Sequence, residues 1–246
     1  MRQTRIYVPE ALALGETLYL SEAPSRHVQQ VLRLGVGAVL TLFNGDGRDY
    51  TAEVIALGRR TTQVRIDQIS PRQPAPPLAI TLALGIARGE RMDFALQKAV
   101  ELGVSTLVPL VTARTVVKLN DQRRTKRQHH WQGVIISACE QSGRCDLPQL
   151  LPMMTLEEWL HQAQAPADCL LLDPQGTQTL NQLAAPQAAQ IGLLIGPEGG
   201  LTPEERSIAY AHGCLGVRLG PRILRAETAP LAAIAALQVR WGDFGL

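Results

Sequence analysis

Aromatic residues are scarce in this sequence, at 4% of 246 residues, so a hydrophobic core must be built mainly from Leu, Ile, Val and Ala. Neither sign of charge dominates, because 24 basic residues face 22 acidic ones and leave a formal net charge of +2. A hydrophobic content of 46% with so little net charge argues against a disordered chain. The composition is that of a globular protein with one or two domains.

Long hydrophobic segments and paired cysteines are also missing. The longest apolar stretch, residues 226–239, is interrupted by Glu227 and Thr228 and is shorter than the roughly 20 residues of a membrane-spanning helix. The first residues contain no apolar signal-peptide core. The four cysteines form no CxxC pair, and the five histidines show no metal-ligand spacing. We therefore expect reduced thiols, no bound metal and a cytoplasmic location.

A proline-rich segment predicts a domain boundary. Residues 71–77 contain four prolines, which cannot continue a helix or a central strand and favour an extended spacer. The expected domains are therefore residues 1–70 and 78–246. In the first, residues 39–43 and 50–54 flank an Asn-Gly-Asp-Gly turn, and the alternation of apolar and polar residues continues in 62–66. These patterns, with one short helix near Ser25, predict a small β-barrel.

The second domain alternates between strand and helix patterns. Short apolar runs at 78–84, 106–110, 168–172 and 191–195 are typical of buried strands. Between them lie a helix expected over about 90–102, a longer one with an apolar stripe at Trp131, and one opened by a capping box at Thr155. This order predicts an α/β fold with a parallel sheet.

A glycine-rich loop follows the last of these strands. Residues 196–200 read Gly-Pro-Glu-Gly-Gly, and Thr202 then begins a helix as its N-cap. A loop between a strand end and a helix is where open α/β sheets bind ligands. It matches neither a Walker loop nor a GxGxxG fingerprint, and Glu198 would repel a phosphate. The loop therefore predicts a neutral or cationic ligand, with a tight turn needed only for packing as the alternative.

A second loop, residues 219–229, brings Arg222, Arg225 and Glu227 within six residues and leads into an Ala-rich helix with Thr228 as the expected N-cap. Residues 114–127 carry six basic side chains, Lys118 among them, against Asp121 alone. This basic segment is either a solvated helix face or a surface that contacts RNA phosphates, to which Arg144 could add.

Together, residues 194–201 and 219–229 resemble the paired signature of the SPOUT class of RNA methyltransferases. The segments 88–93, 97–99, 101–104 and 138–144 are similar to the ribosomal RNA small-subunit methyltransferase E family. Arg5–Tyr7, His27 and residues 31–37 resemble the PUA-like barrel of that family.

This resemblance implies a C-terminal trefoil knot, S-adenosylmethionine as cofactor, a homodimer, and methylation of uridine N3 in the decoding region of 16S rRNA, free or in the 30S subunit. The residues then expected to bind the cofactor are Leu172, Ile195, Gly196, Pro197, Glu198, Gly199, Gly200, Leu219, Gly220, Ile223, Leu224 and Thr228. Those expected in catalysis are Arg225, Glu227, Arg222 and Arg144. Those expected to contact RNA are Arg5, Arg33, Arg91, Arg123, Arg124, Lys126 and Arg127.

Two further hypotheses stay open at the level of sequence. A methyltransferase of the same class could act on another RNA base or on a ribose 2′-hydroxyl. Alternatively, the chain could be a non-catalytic RNA-binding module whose glycine loops only shape the fold. For the methyltransferase, we favour stabilisation of a uracil anion by arginine, with Glu227 orienting an arginine or acting as a base.

Overall fold

A computed structural model of the chain describes residues 4–115, 120–162 and 166–245. It divides into two compact units, of which the first comprises Met1–Ala75 with Ile136–Leu147 and the second Pro76–Ile135 with Pro148–Leu246. The division between residues 75 and 76 falls within the proline-rich segment. The segment Ile136–Leu147 belongs to the first unit, whereas the sequence placed it inside the second. Lys118 lies outside the described residues.

The first unit contains a five-stranded sheet of order β1-β3-β4-β5-β2, in which only β1 and β3 are parallel. Its strands are β1 (Arg5–Tyr7), β2 (Thr17–Leu20), β3 (Val39–Phe43), β4 (Tyr50–Leu57) and β5 (Thr62–Ile69). The edge strands β1 and β2 do not pair with each other in the described part of the chain, so the sheet is a half-barrel.

The predicted alternation in this unit is confirmed, since Tyr50, Ala52 and Val54 are buried in its core while Thr51 and Glu53 are not. The short helix near Ser25 is also confirmed: α1 (Glu22–Arg26) continues as a wider π-helical turn over His27–Val31. Within this turn Val28 is buried, whereas Val31, three residues further on, is exposed.

The second unit is built on an eight-stranded sheet in which all pairs are parallel. The main order is β11-β13-β10-β12-β6-β7-β8, and β9 also pairs with β7. The strands are β6 (Ala79–Gly85), β7 (Thr106–Val111), β8 (Gln149–Leu150), β9 (Met154–Thr155), β10 (Cys169–Leu172), β11 (Gln178–Thr179), β12 (Gln190–Ile195) and β13 (Leu215–Arg218). The helices are α2 (Glu90–Glu101), α3 (Asp121–Ser142), α4 (Leu156–His161), α5 (Pro203–Ala211) and α6 (Thr228–Trp241), of which α3 extends into the first unit. The α/β architecture with a parallel sheet is therefore confirmed.

The predicted helix starts are mostly confirmed. In both α4 and α5 the N-cap threonine, Thr155 or Thr202, accepts from the backbone N–H three residues on, and the glutamate there accepts from the threonine N–H in return. The assignment of Thr228 as N-cap of α6 is wrong. The backbone N–H groups of Thr228 and Ala229 both donate to the Arg225 carbonyl, so Thr228 is already helical and Glu227 holds the cap position.

The expectation that all four cysteines are reduced is wrong for one pair. Cys169 and Cys214 form a disulfide with their Cα atoms 4.5 Å apart, and Cys139 and Cys145 are free and buried. Leu170 pairs with Leu215 in the β10–β13 register, so the two preceding cysteines lie side by side. Their separation of 45 residues in the chain hides this proximity.

No described helix is long and apolar enough to cross a membrane. The trefoil knot implied by the resemblance stays a prediction.

Candidate functional site

A cavity of about 510 Å³ opens at the carboxyl ends of β10, β12 and β13. Parallel strands present their carboxyl ends at one edge of a sheet, so the loops that follow them meet there. All the expected cofactor-binding residues except Thr228 line this cavity, together with Arg222, Arg225 and Glu227. The volume is within the range of sites for small ligands. The structure therefore brings the two loops singled out by sequence into one site.

The glycine loop, residues 196–200, needs its glycines for two different reasons. Gly200 has φ +68°, a conformation that disfavours side chains with a Cβ. At Gly196 an added Cβ would lie only 2.7 Å from the Leu201 backbone nitrogen. Gly85, at the end of β6, is equally confined, because a Cβ there would lie 2.4 Å from the Pro197 nitrogen. Close backbone packing thus holds the loop against the neighbouring strand.

The loop after β7 braces the glycine loop from the other side. The Arg114 guanidinium donates to the Gly199 carbonyl at 2.5 Å, and the Ala113 N–H donates to Glu205 Oε1 at 2.8 Å. Glu205 also closes the capping box of α5. The glycine loop and the start of α5 are therefore held by one network.

Glu198 does not point a free charge into the site. Its carboxylate accepts from the Arg88 N–H at 3.0 Å and forms an ion pair with Arg91 at 3.3 Å. Burial alone would raise the pKa of Glu198, but these partners together hold it below its usual value. Arg91, expected to contact RNA, thus lies on the cavity wall.

Glu227 is the carboxylate that remains partly unpartnered. Its Oε2 atom is buried and has no hydrogen-bond partner in the described part of the chain. Its Oε1 lies 3.9 Å from Arg225, whose side chain is 78% exposed. A buried carboxylate oxygen without a hydrogen-bond partner destabilises the folded protein. A hydrogen-bond donor or a positive charge near this atom would therefore be stabilising.

Asp173 also lines the cavity, and Tyr210 and Arg206 hold its carboxylate in place. The Tyr210 hydroxyl donates to the buried Asp173 carboxylate at 2.9 Å, and Arg206 lies 3.7 Å from the same carboxylate. Burial, followed by the hydrogen bond to Asp173, raises the pKa of Tyr210. The tyrosine therefore stays a hydrogen-bond donor at neutral pH.

Three of the predicted residues lie in the first unit. Arg5 forms a two-pronged ion pair with Asp49 at 2.8 and 2.9 Å and also donates to the Arg144 carbonyl. Arg144 pairs with Asp146 at 2.5 Å and its side chain is 13% exposed. Arg33 is exposed and has φ +53°. The proposed roles of Arg5 and Arg144 would compete with the ion pairs that they already form.

The basic residues of α3 divide into two groups. Arg123, Lys126 and Arg127 line a separate cavity of about 580 Å³ beside the start of α2, whereas Arg124 does not. Among the described residues there is no group of three or more His, Cys, Asp or Glu side chains suited to a metal.

Several supporting residues could not be read from the sequence. Arg114 counted there only as part of a basic segment, and Gly85 was not singled out, because the predicted strand ended at residue 84. The single signal for Gly85 was its place at the carboxyl end of a strand next to the glycine loop, which becomes visible once β6 and β12 are known to pair.

Comparison with known proteins agrees with both units. A family model described as an RNA methyltransferase domain matches residues 74–238, and one described as an RNA methyltransferase PUA domain matches residues 20–67. The chain is 32% identical to the ribosomal RNA small subunit methyltransferase E of Buchnera aphidicola from Schizaphis graminum over 98% of each chain. It is 34% identical to the Synechocystis protein of that name, over 95% of this chain and 76% of the relative.

Solved structures extend the likeness to three dimensions. The ribosomal RNA small subunit methyltransferase E of Neisseria gonorrhoeae, bound to S-adenosylmethionine, is 40% identical, with a TM-score of 0.91 over 98% of this chain and 99% of that one. A protein from Legionella pneumophila, also with S-adenosylmethionine bound, is 39% identical, with a TM-score of 0.95 over 99% of this chain and 100% of that one. These matches show that the chain belongs to the family of ribosomal RNA small subunit methyltransferase E.

Proposed function

We propose that this protein transfers a methyl group from S-adenosylmethionine to N3 of a uridine in the decoding region of 16S rRNA, as free RNA or within the 30S subunit. The observation that carries the proposal is the cavity in which the two signature loops meet. Family membership and the relatives solved with S-adenosylmethionine support the same cofactor here. A ribosomal substrate also implies a cytoplasmic location.

The residues of the cavity fit this cofactor. S-adenosylmethionine carries a sulfonium and an ammonium group, and the unpartnered Oε2 of Glu227 offers a negative charge to either. The glycines of the loop leave backbone groups accessible to a flat base and a ribose. With Glu198 already paired to Arg91, Glu227 is the carboxylate with an oxygen available at this site.

When bound, the cofactor supplies a methyl group on a positively charged sulfur, and the uridine must lose its N3 proton to accept it. The pKa of that proton lies roughly two to three units above neutrality, which is a cost of about 3–4 kcal/mol at pH 7. The protein can lower the cost with a base or with positive charges placed near the uracil oxygens.

Arginine is the group that this site offers for that purpose. Arg222 and Arg225 lie on the cavity wall with exposed side chains, and no described histidine lines it. We assign anion stabilisation to Arg225, with Arg222 as a second donor. Glu227, 3.9 Å from Arg225, would orient that arginine or accept the proton.

Nucleoside mass spectrometry tests the proposal directly. Small subunits and free 16S rRNA from a strain that lacks the gene would be incubated with the protein and S-adenosylmethionine, then digested. We expect 3-methyluridine at one position. A 2′-O-methylated nucleoside or a different methylated base would assign another substrate, and no cofactor binding by calorimetry at millimolar concentration would favour a non-catalytic RNA-binding module.

A further inference from the structure

The basic cavity beside α2 is separate from the cofactor cavity. It is lined by Gly89, Glu90 and Asp93 at the start of α2 and by Arg123, Lys126, Arg127, His130 and Trp131 from α3. The spacing of residues 123, 126, 127 and 130 places them on one face of the helix, one above the other. The helix therefore directs a row of cationic side chains into a concave surface.

These cations have no ion-pair partner among the residues that the structure describes. Arg123, Lys126 and Arg127 form no ion pair with a described residue, and Arg123 and Lys126 are exposed. Arg124 and Arg127 are both half-buried, but Arg124 lies outside the cavity, on another face of the helix. The pKa of Glu158 is lowered first by hydrogen bonds from Thr155, and the positive charge of Arg124 contributes to this shift. Arg124 therefore interacts with a carboxylate of the protein, whereas the cations that line the cavity can interact with a ligand.

The charge of the cavity indicates the ligand. Three cations face two carboxylates, Glu90 and Asp93, and Asp93 is held by His130, whose Nε2 lies 2.7 Å from its Oδ2. Counting only the Arg, Lys, Asp and Glu side chains of the cavity, the balance is 3 − 2 = +1. A single phosphodiester group carries one negative charge and matches this balance, whereas a nucleoside triphosphate would bring several.

Its position relates it to the cofactor cavity. Gly89 and Glu90 line the basic cavity, and the next residue, Arg91, lines the cofactor cavity. Consecutive Cα atoms are about 3.8 Å apart, so neighbouring residues of the first turn of α2 contribute to both cavities. An RNA strand with one base in the cofactor cavity can therefore place a neighbouring phosphate in the basic one.

We infer that the cavity formed by Arg123, Lys126 and Arg127 is a subsite for one backbone phosphate of the RNA substrate, close to the nucleotide that is methylated. This inference rests on the proposed function, because the RNA must be the substrate of the adjoining cavity. The subsite positions the strand and does not read its sequence.

The test compares cations of the same helix. Arg127→Gln and Arg124→Gln each remove one positive charge, at positions three residues apart. Only Arg127 lines the cavity. We expect the triple variant Arg123→Gln/Lys126→Gln/Arg127→Gln to flatten the log–log salt dependence of 16S rRNA binding by about 0.7–0.9, the value of one phosphate contact. Arg127→Gln alone should flatten it by a part of that amount. Arg124, for which the sequence predicted an RNA contact, lies outside the cavity, so Arg124→Gln should leave the slope unchanged if the cavity is the subsite. Equal slopes for Arg127→Gln and Arg124→Gln would overturn the subsite.

A second measurement locates the phosphate. Short decoding-region RNAs would carry one neutral methylphosphonate linkage at successive positions around the target uridine. We expect the wild type to lose affinity several-fold at one or two positions, and Arg127→Gln to show no further loss there. Loss spread evenly over all positions would overturn the inference.

The same samples separate this inference from the proposed function. Cofactor affinity, measured by calorimetry, should be unchanged in every single variant and reports that each is folded. If the wild type forms 3-methyluridine while the cavity variants keep wild-type slopes, the subsite alone is wrong. If the slopes differ as expected but no 3-methyluridine forms, the proposed reaction is wrong and the phosphate subsite stands.

Discussion

Gly196 has no room for a side chain, because a Cβ would lie 2.7 Å from the Leu201 nitrogen and 2.8 Å from the Gly200 carbonyl carbon. Both neighbours are backbone atoms of the loop, so a substitution must displace the loop itself. We expect Gly196→Ala to weaken S-adenosylmethionine binding by at least about tenfold, or roughly 1.4 kcal/mol, in calorimetry. Thermal unfolding should stay cooperative.

The control for this variant is Gly213→Asn. Gly213 has φ +85°, nothing lies within 4 Å of its Cβ position, and it lies outside the cavity. Asparagine tolerates this conformation better than other residues with a Cβ. Its cofactor affinity should equal that of the wild type, and an unchanged affinity in Gly196→Ala would show that the loop does not hold the cofactor.

Arg225 is the residue on which the proposed chemistry depends. In the proposed reaction, its loss would remove one charge near the developing uracil anion, an effect of about 10²-fold in comparable sites. We expect Arg225→Ala to lower the single-turnover rate of methyl transfer by about that factor, with cofactor affinity nearly unchanged. Arg225→Lys keeps the positive charge but loses the planar guanidinium group, so its single-turnover rate should lie between those of the wild type and Arg225→Ala.

The pH profile of the wild type distinguishes arginine from a base. If the protein only stabilises the anion, hydroxide removes the N3 proton and the single-turnover rate should climb between pH 7 and 9. A rate that is level from about pH 6.5 would point instead to a carboxylate acting as the base, with Glu227 as the candidate.

At the scale of elements, the end of α3 gives the first unit a half-buried carboxylate. Glu140 Oε1 accepts from the Tyr7 N–H at 3.0 Å. Burial raises the pKa of Glu140, although this hydrogen bond and the charges of His27 and Arg5 oppose the rise. The ionised form is therefore disfavoured by folding, so this carboxyl contributes stability at low pH that is lost as the pH rises through its folded pKa.

Glu140→Gln should accordingly unfold at a higher temperature than the wild type at pH 7–8, with the difference shrinking towards pH 4. Glutamine keeps an acceptor oxygen for Tyr7 and carries no charge to bury. Glu10→Gln makes the same charge change at an exposed position and should leave the melting temperature unchanged. A lower melting temperature of Glu140→Gln at pH 7 would mean that attraction to Arg5 and His27 outweighs burial.

Elements whose signals are local could be predicted from the sequence. Thr202, Pro203 and Glu205 lie within four residues of each other, and the capping box they announce is the one observed. The same holds for α2, which ends before Gly103 with its φ of +87°. In these cases the residues that determine where a helix begins or ends lie within a few positions of that end, so a short segment of sequence is sufficient to predict it.

Contacts between distant residues could not be predicted in this way. Cys169 and Cys214 meet because β10 and β13 are neighbours in the sheet, an order that no single segment encodes. Arg144, which the sequence predicted as part of a basic surface, pairs instead with Asp146, although this partner is only two residues away in the chain. The prediction of Thr228 as N-cap was wrong for a local reason. The Thr228 N–H already donates to the Arg225 carbonyl, three residues earlier, so the N-cap is Glu227.

At the scale of the whole molecule, Ile223 marks the side on which the cofactor cavity is open. It lines the cavity, yet its side chain is 84% exposed, the largest exposure among the hydrophobic residues identified as exposed. Apolar surface in contact with water costs about 25 cal/mol per Å², so a covering surface would be stabilised here. The family resemblance implies a homodimer, and we expect the second copy of the chain to supply that surface.

We therefore expect a symmetric dimer of about 53 kDa, twice the chain mass of 26.7 kDa, in sedimentation velocity. Ile223→Asp should weaken the dimer, because the interface would have to bury a carboxylate from each copy without a partner. Val36→Asp places the same charge at another exposed apolar residue, in the first unit, and should leave the dimer intact. Methyl transfer by Ile223→Asp should recover as protein concentration rises and dimers reform. A wild-type protein that sediments as a monomer at assay concentration and is fully active would show that one chain holds a complete site.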